Sequence, residues 1–225
     1  MKGFTARVMY RKSGLTRLIG HLDTVRVLRR AVRRAGIPGV YSQGFSPRLR
    51  LSFSPPLPLG FTSQCEFFDI QLARSPGHET FDPVSMGHSL QSQFPEGLFV
   101  EEVHVLEGDH PPLTTAFWAA AYEIELPHDC PVNREILDRI SQVEGLTAGS
   151  DEPDEADRTP ASRVLRAQWK EKDGGMPVLS VVLRQDASGK GGLKQIIGAV
   201  LGMSRDTLEK CRIHKKRVYA NGEQV

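Results

Sequence analysis

The chain has 225 residues, 39% of them hydrophobic and 25% charged, a composition that suits a globular protein with ample core and excludes a disordered one. It contains no run of eighteen apolar residues, so the sequence predicts no membrane span. The net charge of +2 hides a strong segregation: residues 1–50 carry 12 Lys/Arg against Asp23 alone, whereas residues 77–160 carry 3 Arg against 18 Asp/Glu. A field of this kind draws a polyanion, or equally an acidic partner protein, to one side of the molecule. Residues 205–217 are basic again, through Arg205, Lys210, Arg212, Lys215, Lys216 and Arg217. Cys65, Cys130 and Cys211 stand too far apart for a zinc or iron–sulfur spacing, so neither a metal nor a cofactor is expected. They read as reduced thiols, with Cys65 and Cys211 packed in strands. The N-terminus lacks the apolar core of a signal peptide, so the expected compartment is the cytoplasm.

In chain order, Phe4–Arg11 alternates Phe4, Ala6, Val8 and Tyr10 with Thr5, Arg7, Met9 and Arg11, the two-residue period of a half-buried strand. After a Lys12-Ser13-Gly14 turn, Leu22, Val25, Leu28, Val32 and Ala35 recur at three- and four-residue spacing, which predicts an amphipathic helix buried along that stripe. Gly36 and Pro38 stop it, and Asp23 falls in its first turn, where the helix dipole favours an anion. Arg48–Phe53 predicts a second strand, ended by Pro55-Pro56, and Cys65–Leu72 a third with Phe68, Ile70 and Leu72 on one face. Phe81–Phe94 carries a weaker helical period and Gly97–Glu107 a strand period, so this half runs β-α-β-β-α-β.

The same order recurs. Tyr122, Ile124 and Leu126 mark a strand, residues 132–143 a helix, and residues 144–160 an acidic stretch that reads as a mobile loop. Strands follow at Arg163–Glu171 and Val178–Arg184, then a helix opened by Gly191-Gly192 and a short basic strand at Cys211–Tyr219. The expected fold is α+β: two tandem ferredoxin-like units with antiparallel sheets, over residues 1–110 and 115–225.

The first helix is also the first candidate site. Arg26, Arg29, Arg30, Arg33 and Arg34 form a guanidinium band with no glutamate to offset it, whereas an ordinary solvated helix mixes the two signs. The loop Tyr41-Ser42-Gln43-Gly44-Phe45-Ser46-Pro47 with Arg48 and Arg50 adds an aromatic ring, hydroxyls and a glycine that lets backbone N–H groups approach a phosphate. Phe45 reads first as a plug for the core and second as a stacking ring. His21 beside the arginines suggests a general acid or base on RNA, or a helix-capping residue; Asp23, two positions on, does not face it. Lys190-Gly191-Gly192 at a helix start lacks the full phosphate-loop pattern and reads as a flexible entry.

These residues resemble a known family. His21-Leu22-Asp23 at the helix start, Arg33-Arg34-Ala35, Gly44-Phe45-Ser46-Pro47 and the turn Leu57-Pro58-Leu59-Gly60 are similar to the hallmarks of the radical-SAM-associated domain family of unknown function. The likeness is dense over residues 7–72. It departs after the loop, where a His-Pro-Lys-like run is replaced by Pro47-Arg48-Leu49-Arg50. The resemblance implies a separate radical-SAM protein as partner rather than the chemistry itself, since the chain has no C-x3-C-x2-C motif for a cluster. The resulting expectation is a non-catalytic accessory module that binds or presents RNA (tRNA or rRNA) through the helix and loop. Two alternatives stay open: a metal-free endoribonuclease using His21, and a protein-interaction domain docking an acidic surface of the radical-SAM partner.

Overall fold

Strand β1 (Phe4–Lys12) is the middle of the first sheet, and its alternation decides what that sheet covers. The computed structural model describes residues 3–73, 81–127, 163–172, 176–185, 193–220 and 223–224. The chain divides into two compact units, Met1–Thr115 and Ala116–Val225. In the first, β1 is followed by a 3-10 turn (Gly14–Leu18), α1 (His21–Arg34), β2 (Leu51–Phe53), β3 (Thr62–Leu72), α2 (Pro83–Gln91) and β4 (Leu98–Glu107). The strands lie in the order β4-β1-β3-β2 and every neighbouring pair is antiparallel.

The strand face of Ala6, Val8 and Tyr10 meets Phe68, Ile70 and Leu72 of β3 and Leu28 and Val32 of α1 in one apolar core, closed by Met86, Leu90 and Leu98. Leu28, Ala31 and Val32 are wholly buried, and a Leu28→Ala change would cost about 2–5 kcal/mol in lost transfer and cavity. The expected stripe holds from Leu28 onward and fails at Leu22, which is exposed. Two successive three-residue steps, 22 to 25 to 28, turn the stripe by about 120°, so Leu22 falls on the arginine side of a helix with 3.6 residues per turn. The helix ends where expected: Gly36 takes φ +67, the left-handed conformation that closes a helix without a Cβ clash.

On the other face of β1, Arg7 stands opposite Asp69 and holds it with two hydrogen bonds of 2.9 Å. Its Nη2 also donates to the Pro111 carbonyl at 3.2 Å, and His110 Nε2 lies 3.6 Å from Asp69 Oδ2. Before α1, Gly97 fastens the 3-10 turn, its carbonyl accepting from Ser13 N–H at 2.8 Å and Thr16 Oγ1 at 3.1 Å. Gly97 has φ +89, and a Cβ there would stand 2.7 Å from the Ser13 carbonyl, so glycine is required.

α3 (Leu113–Ala116) spans the division between the units. The second unit holds β5 (Phe117–Glu125), β6 (Val164–Lys172), β7 (Met176–Arg184), α4 (Leu193–Leu201), α5 (Arg205–Lys210), β8 (Arg212–Ala220) and β9 (Glu223–Gln224). Its antiparallel order is β8-β5-β7-β6, with β9 on β8. Four elements were not legible, the 3-10 turn Gly14–Leu18, α3, α5 and β9; Ser204 caps α5 by accepting from Thr207 N–H at 3.2 Å. Cys65 is buried in β3, whereas Cys211 lies just before β8 rather than within it. The expected helix 132–143, the acidic stretch 144–160, Cys130 and Gly191-Gly192 lie outside the described residues. No helix among the described residues is long and apolar enough to cross a membrane. The architecture is thus mixed α+β with antiparallel sheets.

Candidate nucleic-acid interface

The sequence between α1 and β2 folds into a short ribbon. Tyr41 and Leu49 form an isolated antiparallel bridge, Ser42 N–H donates to the Arg48 carbonyl at 2.8 Å, and Arg50 N–H donates to the Val40 carbonyl at 2.8 Å. Arg48 N–H in turn donates to Ser42 Oγ at 2.9 Å. The stem is tied to β3 through Val40 N–H on the Gln71 carbonyl at 2.8 Å and Gln71 N–H on the Arg50 carbonyl at 3.2 Å. Gly44, at φ +122, lets the tip turn, and Pro47 is exposed beside it. Leu49 is the buried anchor, and Phe45 is the opposite: it is fully exposed at the tip. The core-plug reading of Phe45 is therefore corrected, because the bridge at Tyr41–Leu49 closes the ribbon before the chain could bring Phe45 back to the sheet. Tyr41 is also exposed.

The arginines divide by what they touch. Arg26 pairs with Asp23 at 2.7 Å, Arg29 Nη1 donates to the Leu49 carbonyl at 3.3 Å, and Arg34 donates to Gln93 Oε1 at 3.0 Å and its carbonyl at 2.8 Å. Arg50 Nη1 reaches Gln71 Oε1 at 3.5 Å. Arg30, Arg33 and Arg48 are exposed and make no ion pair or side-chain hydrogen bond among the described residues. Arg29 thus bridges α1 to the ribbon stem, which roots the ribbon beside the helix row. The exposed Asp23–Arg26 pair is worth less than about 1 kcal/mol, so Arg26 is available to another anion.

His21 lies elsewhere on the same helix. It lines a cleft with Tyr10, Lys12, Thr24, Val25, Phe53, Ser54, Leu57, Glu66 and Phe67, and none of the arginines lines it. The cleft is narrow, with room for about one water. Its ring is edge-on to Phe53 at 6.1 Å, and burial lowers its pKa below 6.5, opposed in part by Glu66 and reinforced by Lys12. Lys12 is almost wholly buried and donates to the Ile19 carbonyl at 2.9 Å and Thr24 Oγ1 at 3.4 Å, clamping the segment ahead of α1 to the end of β1. Burial lowers the pKa of Lys12 and raises that of Tyr10 well above its usual 10.0; Glu66, across the sheet from Tyr10, raises both.

Sequence reasoning missed this buried polar group, although its signal was present. The inward period of β1 runs 6, 8, 10 and arrives at Lys12, and that of β3 runs back from 72, 70 and 68 to Glu66. Of the remaining motif residues, Pro58 and Gly60 form a turn, with Phe61 N–H on the Pro58 carbonyl at 3.2 Å and Gly60 at φ +90. His88 and His104 are exposed, His104 pairing with Glu102 at 2.9 Å. His78 and His128 lie outside the described residues. No metal-binding cluster of His, Cys, Asp and Glu occurs among the described residues.

Fold and surface together define an α+β protein that presents a basic helix face beside an exposed aromatic ribbon. Residues 5–169 match the family described as an uncharacterized protein conserved in bacteria (DUF2344), and the chain belongs to that family. No match is found among curated proteins.

Proposed function

We propose that this chain is a non-catalytic RNA-binding module that grips phosphates with Arg30, Arg33 and Arg48, aided by Arg26, Arg29, Arg34 and Arg50, and stacks a base on Phe45 or Tyr41. The observation that carries this reading is Phe45: a fully exposed phenylalanine at the tip of a hydrogen-bonded ribbon whose stem carries Arg48, exposed and without a side-chain partner among the described residues. Leaving such a ring in water forgoes about 1.5–3 kcal/mol of burial. A stacked base recovers about 1–3 kcal/mol, and stacking with phosphate contacts is how single-stranded RNA is held. The order β4-β1-β3-β2 in the first unit and β8-β5-β7-β6 in the second supports the finer reading of two ferredoxin-like units. That reading is a fold analogy and adds nothing to the assignment of RNA.

A catalytic role for His21 is less well supported. A general base must reach within about 3 Å of its proton, and the His21 cleft is water-sized and free of arginine, so a phosphate on the row lies away from it. RNA left intact by the pure protein under EDTA agrees with this; cleavage lost in His21→Ala would reverse the assignment. Partnership with a separate radical-SAM protein in the cytoplasm rests on the resemblance of residues 7–72. Its test is co-purification of that partner after nuclease treatment. For RNA itself the test is binding of bulk tRNA by the wild type and by Arg30→Gln/Arg33→Gln/Arg48→Gln; equal affinity for both would remove the basis of the proposal.

A further inference from the structure

Four of the seven large apolar side chains exposed among the described residues gather before and beside the start of α1: Leu15 at 78%, Leu18 at 58%, Leu22 at 71% and Leu59 at 53%. Leu15 and Leu18 are three apart on a 3-10 turn, where such positions eclipse and point the same way. Leu22 follows in the first turn of α1. Leu59 is brought in by its neighbour, Gly60 N–H donating to the Arg17 carbonyl at 2.8 Å. Single exposed leucines are ordinary, but a contiguous group marks an interaction surface.

The scaffold beneath is unusually fixed for a turn. Thr16 is buried with its hydroxyl on the Gly97 carbonyl at 3.1 Å, Ser13 N–H bonds the same carbonyl, and the buried Lys12 ammonium holds the Ile19 carbonyl. A buried ammonium is expensive to desolvate, and here it fixes a surface whose own apolar side chains face water. A surface held in one shape binds with less ordering cost.

We propose that Leu15, Leu18, Leu22 and Leu59 are the docking site for an acidic, apolar segment of a partner protein. Charge chooses the occupant. Exposed Arg17 and Arg26 flank the leucines, and Asp23, already paired with Arg26, is the one acid in residues 1–50. The N-terminus of α1 has no side-chain cap and adds the same sign. A second copy of this chain, docked through a two-fold contact, would set Arg17 and Arg26 against themselves, and such like-charge contacts are disfavoured. A segment carrying Leu, Phe or Trp among Asp and Glu satisfies both the apolar surface and its rim. The inference does not rest on RNA binding: Leu15, Leu18 and Leu59 stand outside the arginine row and the ribbon, and only Leu22 and Arg26 lie on the arginine side of α1.

The experiment is selection of a random-peptide phage library on the immobilised whole chain, with Leu18→Ser/Leu22→Ser as the counter-target. Both residues are exposed, so the double variant should keep the wild-type melting curve. The expected consensus combines apolar and acidic residues. Its synthetic peptide should bind the double variant about tenfold more weakly, and Arg17→Gln severalfold more weakly at low salt. Binding of tRNA by Leu15→Ser/Leu18→Ser, which leaves the arginine side of α1 untouched, should equal that of the wild type, which separates this surface from the RNA reading. No consensus, a consensus without acids, or a peptide that ignores the leucine changes would overturn the proposal. So would a wild-type dimer, seen by sedimentation, that the double variant loses.

Discussion

Converting Arg30, Arg33 and Arg48 to glutamine tests the arginine row where the structure makes it sharpest. These three side chains have no partner among the described residues, so their replacement removes charge without breaking an internal contact. Each exposed change should shift stability by no more than about 0.5 kcal/mol, and the melting temperature serves as the control. On single-stranded nucleic acid the logarithm of affinity falls with the logarithm of salt at a slope of about −0.7 per neutralised phosphate. If the three arginines each hold one phosphate, the triple variant should lose about 2 from that slope. If Arg26, Arg29, Arg34 and Arg50 also contribute, the wild-type slope approaches −5, and affinity drops about a thousandfold between 50 and 200 mM salt. The variant would then drop only about fiftyfold over the same range. Filter binding or fluorescence anisotropy with a labelled single-stranded oligoribonucleotide reads both slopes. A triple variant with the wild-type slope would refute the reasoning, because it would place the phosphates somewhere other than the free guanidinium groups.

Other outcomes follow from the packing. His21 is pushed down by burial, so its folded pKa lies below the unfolded value of 6.5 and the folded state binds fewer protons in between. By linkage, stability rises with pH through that window, is lost as pH falls through it, and is unaffected by His21 above 6.5. An NMR titration of the His21 ring should show its midpoint below 6.5; a midpoint above it would mean the ring is solvated or paired. Gly97→Ala should lower stability by about 1–3 kcal/mol from backbone strain alone, more if the Ser13 carbonyl cannot retreat, as read by urea unfolding. Arg7→Ala should cost about 3–5 kcal/mol, since it takes both hydrogen bonds from the buried Asp69 carboxylate and leaves it, among the described residues, only His110 at 3.6 Å, and Arg7→Ala/Asp69→Ala should cost less than the two single changes added together.

Much of this molecule was legible because its strands keep a strict two-residue period. Ala6, Val8 and Tyr10 in β1 and Phe68, Ile70 and Leu72 in β3 face the core as their alternation requires. The period carried further than an apolar count notices: it also turns Lys12 and Glu66 inward, where hydrogen bonding rather than hydrophobicity decides the outcome. The helix register was harder, because mixed three- and four-residue steps let Leu22 pass for a buried position. Phe45 was misjudged for a different reason. Its fate depends on the Tyr41–Leu49 bridge, a contact across the ribbon that no local propensity signals. The leucine surface was hidden similarly, since Leu15 and Leu18 align only on the 3-10 turn and Leu59 joins them only through the Gly60–Arg17 hydrogen bond.

The assignment of RNA to the ribbon and helix row is tested most directly by photocrosslinking. RNA carrying 4-thiouridine would be bound to the pure protein at low salt, irradiated, and the protein cleaved after Lys and Arg. Cleavage after Arg34 and Arg48 isolates residues 35–48, which contain both Tyr41 and Phe45. The account predicts that this peptide carries the crosslinked nucleotide and that Phe45→Ala diminishes it. A crosslink confined to any other peptide, or none at low salt, would contradict it.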